Sequence, residues 1–115
     1  MKEMCVKFHL SDSAYMTALR LVAGAVCSAH DVDVETLEDF KVCVTESAII
    51  LKNSGFERAV VTFRAGECVC CVVEGEGGSP KASENDFSLA LISALVGECD
   101  IEKRGDVIGK VSLKI

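Results

Sequence analysis

A single carboxylate in an otherwise apolar stretch is the first feature of the sequence that could do chemistry. Glu46 lies in the segment VETLEDFKVCVTESAIILKNSG, Val34 to Gly55. This segment has good helix formers, no proline, and a glycine placed to end a helix. On that helix Asp39, Glu46 and Asn53 fall nearly in line along the axis, apart from the main polar strip. They form a thin polar stripe on a face that is otherwise apolar.

The helical wheel leaves two interpretations of Glu46 open. At 100° per residue the apolar face comprises Leu37, Phe40, Val44, Ala48 and Leu51, and the polar strip comprises Glu38, Lys41, Thr45 and Lys52. A carboxylate on an apolar surface is costly unless a partner or a water-filled cleft meets it. Glu46 therefore either faces a partner or a cleft, or is an ordinary exposed glutamate at the edge of the helix.

The cysteines are a second candidate for chemistry. There are seven of them: Cys5, Cys27, Cys43, Cys68, Cys70, Cys71 and Cys99. The cluster Cys68-Val69-Cys70-Cys71 has the thiols of a metal site, but on a strand Cys68 and Cys70 share one face while Cys71 faces the other. No C-x-x-C pair and no histidine accompanies the cluster, and reduced cysteines are common in protein cores. We therefore favour core packing, and expect all seven to be reduced and metal-free.

Composition limits the class of protein. The chain has 115 residues, half of them apolar, which predicts a single domain over residues 1–115. Its net charge of −6 and absence of a basic patch argue against binding to nucleic acid. No apolar run approaches the ~20 residues of a transmembrane helix, and MKEMCVKFHL lacks the features of a signal peptide. We expect a cytoplasmic protein that binds no membrane.

Eight elements are expected to position these residues, in the order β-α-α-β-β-α-β-β. The predicted elements are a strand over 4–10, helices over 12–29 and 34–55, strands over 58–64 and 68–74, a helix over 87–96, and strands over 99–103 and 107–115. This order predicts an α+β fold: a two-layer α/β sandwich with a mixed, mostly antiparallel sheet of four or five strands and three helices on one face. The helix over 12–29 is expected to place Tyr15, Leu19, Val22, Ala23 and Val26 on its apolar face.

One long polar loop, EGEGGSPKASEND from Glu74 to Asp86, interrupts this pattern. Loops of this length are usually lids, binding loops or disordered segments. Its four acidic residues, opposed only by Lys81, are Glu74, Glu76, Glu84 and Asp86. They indicate either a rim that repels anions or an ordinary solvated loop.

The chain resembles the anti-sigma-factor serine/threonine kinases, small members of the histidine-kinase-like (GHKL, Bergerat-fold) ATPases. LEDFKVCVTESAIILKNSGFE is similar to the family's N-box helix, and SLALISALVGECDIEKRGDVIGKVSLKI is similar to its last helix and closing hairpin. The resemblance covers residues 8–115 and implies the histidine-kinase-like ATPase fold. It also implies a catalytic role for Glu46, which occupies the position of the family's general base.

The nucleotide motifs depart from the family pattern at several positions. The resemblance places Ile50 at the Mg²⁺-binding asparagine, and Asn53 lies about 4.5 Å further along the axis. It places Gly75 at the adenine-binding aspartate, or Glu74 if the register slips by one, and Gly77 at the motif glycine. The second glycine-rich motif is replaced by Asp86-Phe87-Ser88, which removes backbone positions that approach phosphate. These losses together indicate a degenerate ATP site.

The resemblance implies a regulatory domain that acts by partner switching in bacterial transcription. The expected partner is a sigma factor or a STAS-type anti-sigma antagonist, and a homodimer is a further candidate. The exposed part of the helix over 12–29, with Arg20, is the candidate contact surface. No cofactor is expected. One alternative is an active kinase that uses ATP and Mg²⁺, with Glu46 as base and Asn53 as metal ligand. Another is a small-molecule or metal-binding pocket lined by Glu46, Ile50, Cys43 and Cys70.

Overall fold

The computed structural model describes residues 3–115, and these residues form the eight elements in the predicted order. Their bounds are β1 Glu3–His9, α1 Ser13–Ala29, α2 Val34–Asn53, β2 Arg58–Ala65, β3 Val69–Glu76, α3 Asp86–Leu95, β4 Glu98–Arg104 and β5 Val107–Lys114. The α+β prediction is therefore confirmed. No helix within residues 3–115 has both the length and the apolar character needed to cross a membrane.

The sheet has five strands in the order β1-β2-β3-β5-β4, and every neighbouring pair is antiparallel. The prediction of a mixed sheet is wrong for the strands in residues 3–115. The chain does carry β4 parallel to β3 through α3, but β5 lies between them and pairs with both. In the same way β2 separates β1 from β3, so no two parallel strands are neighbours.

Helix α2 lies across the middle of one sheet face. It packs on β2, β3 and β5, and α1 and α3 flank it. Four of the five predicted apolar-face residues of α2 are fully buried: Phe40, Val44, Ala48 and Leu51. Thr45, predicted to be in the polar strip, is also buried, because α1 covers that side of α2 and Arg20 Nε donates a hydrogen bond to Thr45 Oγ1 at 3.2 Å.

Helix α1 buries a narrower stripe than the wheel predicts. Leu19, Ala23 and Cys27 are buried against α2. Tyr15 was predicted on this face, but 45% of it is exposed, and its ring meets Phe8 of β1 edge-on with centroids 6.4 Å apart. Since α1 packs chiefly on α2, the side that faces β1 remains partly open.

The sheet face turned away from the helices is crossed by ion pairs. Arg64 Nε lies 2.6 Å from Glu3 Oε2, and Lys7 Nζ lies 2.8 Å from Glu76 Oε1. Residues on this face alternate in β2 and β3 with the buried residues of the core. The alternation gives the two-layer arrangement, with one covered face and one face in contact with solvent.

Candidate functional site

Glu46 has a direct polar partner on α3. Ser88 Oγ donates a hydrogen bond of 2.9 Å to Glu46 Oε1. Ser88 is buried in the first turn of α3, and Glu46 is half-buried on α2. The bond joins the two helices at the position where the sequence suggested either a partner or a cleft.

Neither candidate metal position, Ile50 or Asn53, lies in one site with Glu46. Ile50 is fully buried in the hydrophobic core, so its side chain is part of the packing between α2 and the sheet. Asn53 is exposed at the last residue of α2, about two turns from Glu46. An asparagine at that distance along the axis cannot share a metal ion with Glu46.

The aromatic ring of Phe56 covers the backbone of Gly75. A Cβ atom added at Gly75 would lie 2.5 Å from a ring carbon, so only glycine fits beneath the ring. Arg104 Cζ lies over the ring, 5.6 Å from its centroid, and Arg104 Nη1 donates to Gly75 O at 3.1 Å. Protein atoms therefore occupy the surroundings of Gly75.

Phe56 and Arg104 were not singled out from the sequence. Gly75 could have indicated them in the sequence, because a glycine in the interior of a strand often marks the close approach of another group. The cation over the ring adds a favourable contact, worth about 0.5–1 kcal/mol at an exposed site.

Hydrogen bonds hold the polar loop after β3 against the end of α2. Ser79 N donates to Gly55 O at 3.2 Å, and Lys81 N donates to Ser54 O at 2.8 Å. The hydroxyl groups of Ser54 and Ser83 lie 3.1 Å apart. Of the three interpretations, lid, binding loop or disordered segment, these bonds disfavour a freely moving lid and a disordered segment.

Gly77 and Gly78 begin this loop with positive φ angles of 69° and 74°. A Cβ atom at Gly77 would meet Arg58 Nη2 at 2.8 Å, and one at Gly78 would meet Gly55 O at 2.3 Å. The positive φ angles favour glycine at both positions, and at Gly78 the close backbone oxygen requires it as well. Gly77 therefore has a structural reason to be glycine that is independent of phosphate binding.

The acidic rim expected on this loop is not a cluster. Glu74 Oε2 accepts from Arg104 Nη2 at 2.9 Å, and Glu76 Oε1 accepts from Arg58 Nε at 3.0 Å. Hydrogen bonds from Lys7 and Arg58 lower the pKa of Glu76. Because strand alternation turns Glu74 and Glu76 to the solvent face of the sheet, they lie away from α2 and α3.

The other two acidic residues line a cavity of about 620 Å³ between α3 and the β4–β5 hairpin. Glu84 and Asp86 form part of its wall, together with Asp106 and Lys103. Asn85 precedes α3, is only 8% exposed, and has a buried Oδ1 with no hydrogen-bond partner. The cavity is thus acidic on balance and does not include Glu46 or Ile50.

The cysteines fall into three groups. All seven are free thiols: Cys27, Cys43 and Cys71 are buried, Cys68 and Cys70 are partly exposed, and Cys5 and Cys99 are exposed. The prediction of core packing is therefore wrong for Cys5 and Cys99, which lie in the two edge strands, and for Cys68 and Cys70, which are partly exposed and lie outside the core. Within residues 3–115 no three His, Cys, Asp or Glu side chains are arranged to hold a metal ion.

The pocket suggested for Glu46, Ile50, Cys43 and Cys70 does not form. Cys43 is buried beside α3, with its Sγ 4.0 Å from Ile92 O. Cys70 lies on the opposite face of the sheet, because its neighbours Val69 and Cys71 are the buried residues of that strand. The sheet therefore separates the two thiols.

Comparison with known proteins adds no relative. No protein-family model matches the sequence, and no curated protein is significantly similar to it.

Proposed function

We propose that this chain is a regulatory protein-binding domain of the anti-sigma type, with a degenerate histidine-kinase-like ATP site. It would act in bacterial transcription by partner switching, without phosphorylating its partner. The order of the five strands and three helices supports the proposal, whereas the sheet has none of the parallel neighbours expected of a mixed sheet. The proposal depends on two parts of the molecule, the region around Glu46 and the exposed side of α1.

The contact between Glu46 and Ser88 is the main observation that supports a degenerate, catalytically inactive ATP site. A general base needs a carboxylate oxygen within hydrogen-bond reach of the group it deprotonates, and a donor at one oxygen leaves only the other for that role. Here Ser88 of α3 donates to that carboxylate, and Ile50, at the metal position, is buried in the core. Phosphoryl transfer depends on positioning and on Mg²⁺ to neutralise charge, and these positions offer no metal ligand beside the base.

Titration calorimetry with ATP and Mg²⁺ tests this part of the proposal. We expect no binding tighter than roughly millimolar, a free energy near −4 kcal/mol. The reason is geometric: Phe56 and Arg104 fill the surroundings of Gly75, and the loop is fastened to α2. Micromolar, Mg²⁺-dependent binding would contradict a degenerate site and would support the alternative function, an active kinase.

Ile50→Asn is not expected to restore phosphorylation. Ile50 is fully buried, so an asparagine there would place an amide in the core without a partner. This variant would report mainly on stability, and the calorimetric experiment should therefore use the unmodified chain.

The exposed side of α1 supports a protein partner. Arg20 is the single charged residue in its 17 positions, and Leu21 is 69% exposed. A solvated helix face is usually rich in charge, so an uncharged exposed face favours contact with another protein. Between α1 and β1 lie two grooves of about 390 and 470 Å³, which would add to the contact area.

Leu21→Glu tests the α1 surface. We expect it to weaken binding to the partner at least tenfold, because it places a charge in an apolar contact. Val34→Glu is the matched control, since Val34 is 75% exposed on α2 and lies outside the proposed surface. The measurement is the affinity for purified sigma factors and STAS-domain proteins encoded near this gene. Failure of the unmodified chain to bind any of them, or an equal loss in both variants, would contradict the proposed surface.

A homodimer through the same side of α1 is the remaining expectation. Light scattering of the unmodified chain and of Leu21→Glu distinguishes it from a monomer. A dimer that persists in Leu21→Glu would place the dimer contact elsewhere.

A further inference from the structure

Two thiols lie side by side at the start of β3. The Sγ atoms of Cys68 and Cys70 are 3.9 Å apart, which is the contact distance of a weak hydrogen bond between sulfur atoms. Both residues are partly exposed. The cross-strand neighbours of Cys70 are two cations, Arg64 on β2 and Lys114 on β5.

The other thiols are placed differently. Cys71 is adjacent in sequence but fully buried on the helix side of the sheet. Cys5 and Cys99 are exposed on the two edge strands, with three strands between them. Within residues 3–115, Cys68 and Cys70 are the two sulfur atoms that contact each other. Only this pair combines proximity with access from solvent.

We propose that Cys68 and Cys70 form a reversible intramolecular disulfide by exchange with a small-molecule disulfide such as oxidised glutathione. In the first step the Cys68 thiolate attacks one sulfur of the small disulfide. The small S–S bond breaks, a mixed disulfide forms at Cys68, and one small thiol leaves. In the second step the Cys70 thiolate attacks Cys68 Sγ, the mixed disulfide breaks, and a second small thiol leaves. The protein loses two electrons and two protons, and the small disulfide gains them.

The surroundings of the pair divide the two roles. Burial, followed by the hydrogen bond with Cys68, raises the pKa of the Cys70 thiol, while Lys114 opposes this shift. Cys70 is held in the ladder between β2 and β5, whereas Cys68 lies in the hairpin turn outside the ladder, so a small disulfide reaches Cys68 more easily. Since the thiolate is the nucleophile, Cys68 attacks and Cys70 resolves the mixed disulfide.

The position of Cys68 allows the bond, and the position of Cys70 makes it easy to reverse. Residues i and i+2 of an extended strand have Cα atoms about 6.6 Å apart, near the upper limit for a disulfide. Cys68 precedes β3 and lies in the hairpin turn, outside the pairing of β3 with its neighbours, so its backbone is less constrained than that of Cys70. Cys70 is held in the ladder by both neighbouring strands. A strained disulfide is more readily reduced, which suits a reversible switch rather than a permanent cross-link.

Mass spectrometry of the folded chain tests the proposal. The reduced protein is incubated with excess oxidised glutathione, its remaining thiols are alkylated, and it is digested with trypsin. Cleavage after Arg64 and Lys81 releases one peptide that contains Cys68, Cys70 and Cys71. We expect this peptide to lose two hydrogens, with the bond between Cys68 and Cys70, and to return to the free thiols on addition of reduced glutathione.

Three variants separate the roles of the two thiols. Cys70→Ser should accumulate a stable glutathione adduct at Cys68, because nothing resolves it. Cys68→Ser should react at Cys70 at least tenfold more slowly. Cys99→Ser, which removes an exposed thiol outside the pair, should form the disulfide like the unmodified chain. Circular dichroism of each variant confirms that it is folded.

Three outcomes would overturn the proposal. The first is a peptide that keeps three free thiols while Cys5 or Cys99 is glutathionylated. The second is a bond that involves Cys71 or joins two chains. The third is an unresolved glutathione adduct at Cys68 in the unmodified protein.

Discussion

At the scale of single residues, the contact between Ser88 and Glu46 decides how the carboxylate is accommodated. These residues are 42 positions apart, and their hydrogen bond joins α3 to α2. A hydrogen bond to a charged group contributes about 1.5–3 kcal/mol when it is well buried. Glu46 is only half-buried, so water can replace part of what Ser88 supplies. We therefore place its contribution at the lower end of that range.

Ser88→Ala should lower the free energy of unfolding by about 1–2 kcal/mol relative to Ser93→Ala. Ser93 is exposed on the same helix, so its variant carries the same gain in helix propensity without losing the contact. Urea denaturation of both variants measures the difference. If Ser88→Ala is as stable as Ser93→Ala, water replaces the hydroxyl completely and the contact does not join the helices.

Single residues also show where sequence information ends. The helical wheel leaves two interpretations of Glu46 open, a partner or cleft and an ordinary exposed glutamate, and the contact with Ser88 supports the first. The wheel cannot name Ser88, because that contact is between two distant parts of the chain. The same limit explains Thr45, whose polar position on the wheel is buried because α1 happens to cover it.

At the scale of elements, hydrophobic period and turn residues predicted all eight helices and strands in order. The hairpins were the clearest case, since Gly66 and Gly105 each lie in the turn between two alternating stretches. The course of the loop after β3 could not be predicted. It is set by hydrogen bonds to Ser54 and Gly55 at the end of α2, and neither residue differs from an ordinary helix terminus in the sequence.

Gly78→Ala should detach this loop from the end of α2. Gly78 and Gly105 both have positive φ angles, so alanine at either position costs about 1 kcal/mol in backbone strain. A Cβ at Gly78 would also lie 2.3 Å from Gly55 O, whereas one at Gly105 has nothing within 4 Å. We expect Gly78→Ala to lose about 2–4 kcal/mol in total and Gly105→Ala about 1 kcal/mol.

Hydrogen exchange on the two glycine variants locates the effect. In Gly78→Ala the amides of Ser79 and Lys81, which donate to Gly55 and Ser54, should lose protection. In Gly105→Ala these amides should keep it. Equal protection in both variants would show that the close approach of Gly78 does not hold the loop in place.

At the scale of the whole molecule, the two sheet faces separate charge from core. On the solvent face Glu74 and Glu76 form ion pairs with Arg104 and Arg58. On the helix face the buried thiols are part of the hydrophobic core. The sequence predicts the alternation that creates the two faces. It does not predict that residues of the polar loop would belong to the solvent face, because β3 extends two residues further than the pattern indicated.

The buried thiols make the stability of the whole molecule depend on alkaline pH. Burial raises the pKa of Cys27 to about 11, and burial followed by the nearby Asp39 carboxylate raises that of Cys43 to about 12, from an ordinary value of 9.0. Burial also raises the pKa of Cys71. Below pH 9 these thiols are protonated in both the folded and the unfolded chain. Above pH 9 the unfolded chain releases protons that the folded chain still holds, so deprotonation favours unfolding.

The free energy of unfolding should therefore fall from pH 9 upward, until the folded thiols titrate near pH 11–12. Each buried thiol contributes a slope of about 1.4 kcal/mol per pH unit. Urea denaturation between pH 8 and 11 measures the slope. Cys27→Ala should reduce the pH slope of the free energy of unfolding by about 1.4 kcal/mol per pH unit, the contribution of one thiol. Val44→Ala truncates a core side chain without removing a thiol, so it should lower the free energy of unfolding at every pH and leave the slope unchanged. A slope that is unchanged in Cys27→Ala would mean that the buried thiol of Cys27 does not cause the alkaline loss of stability.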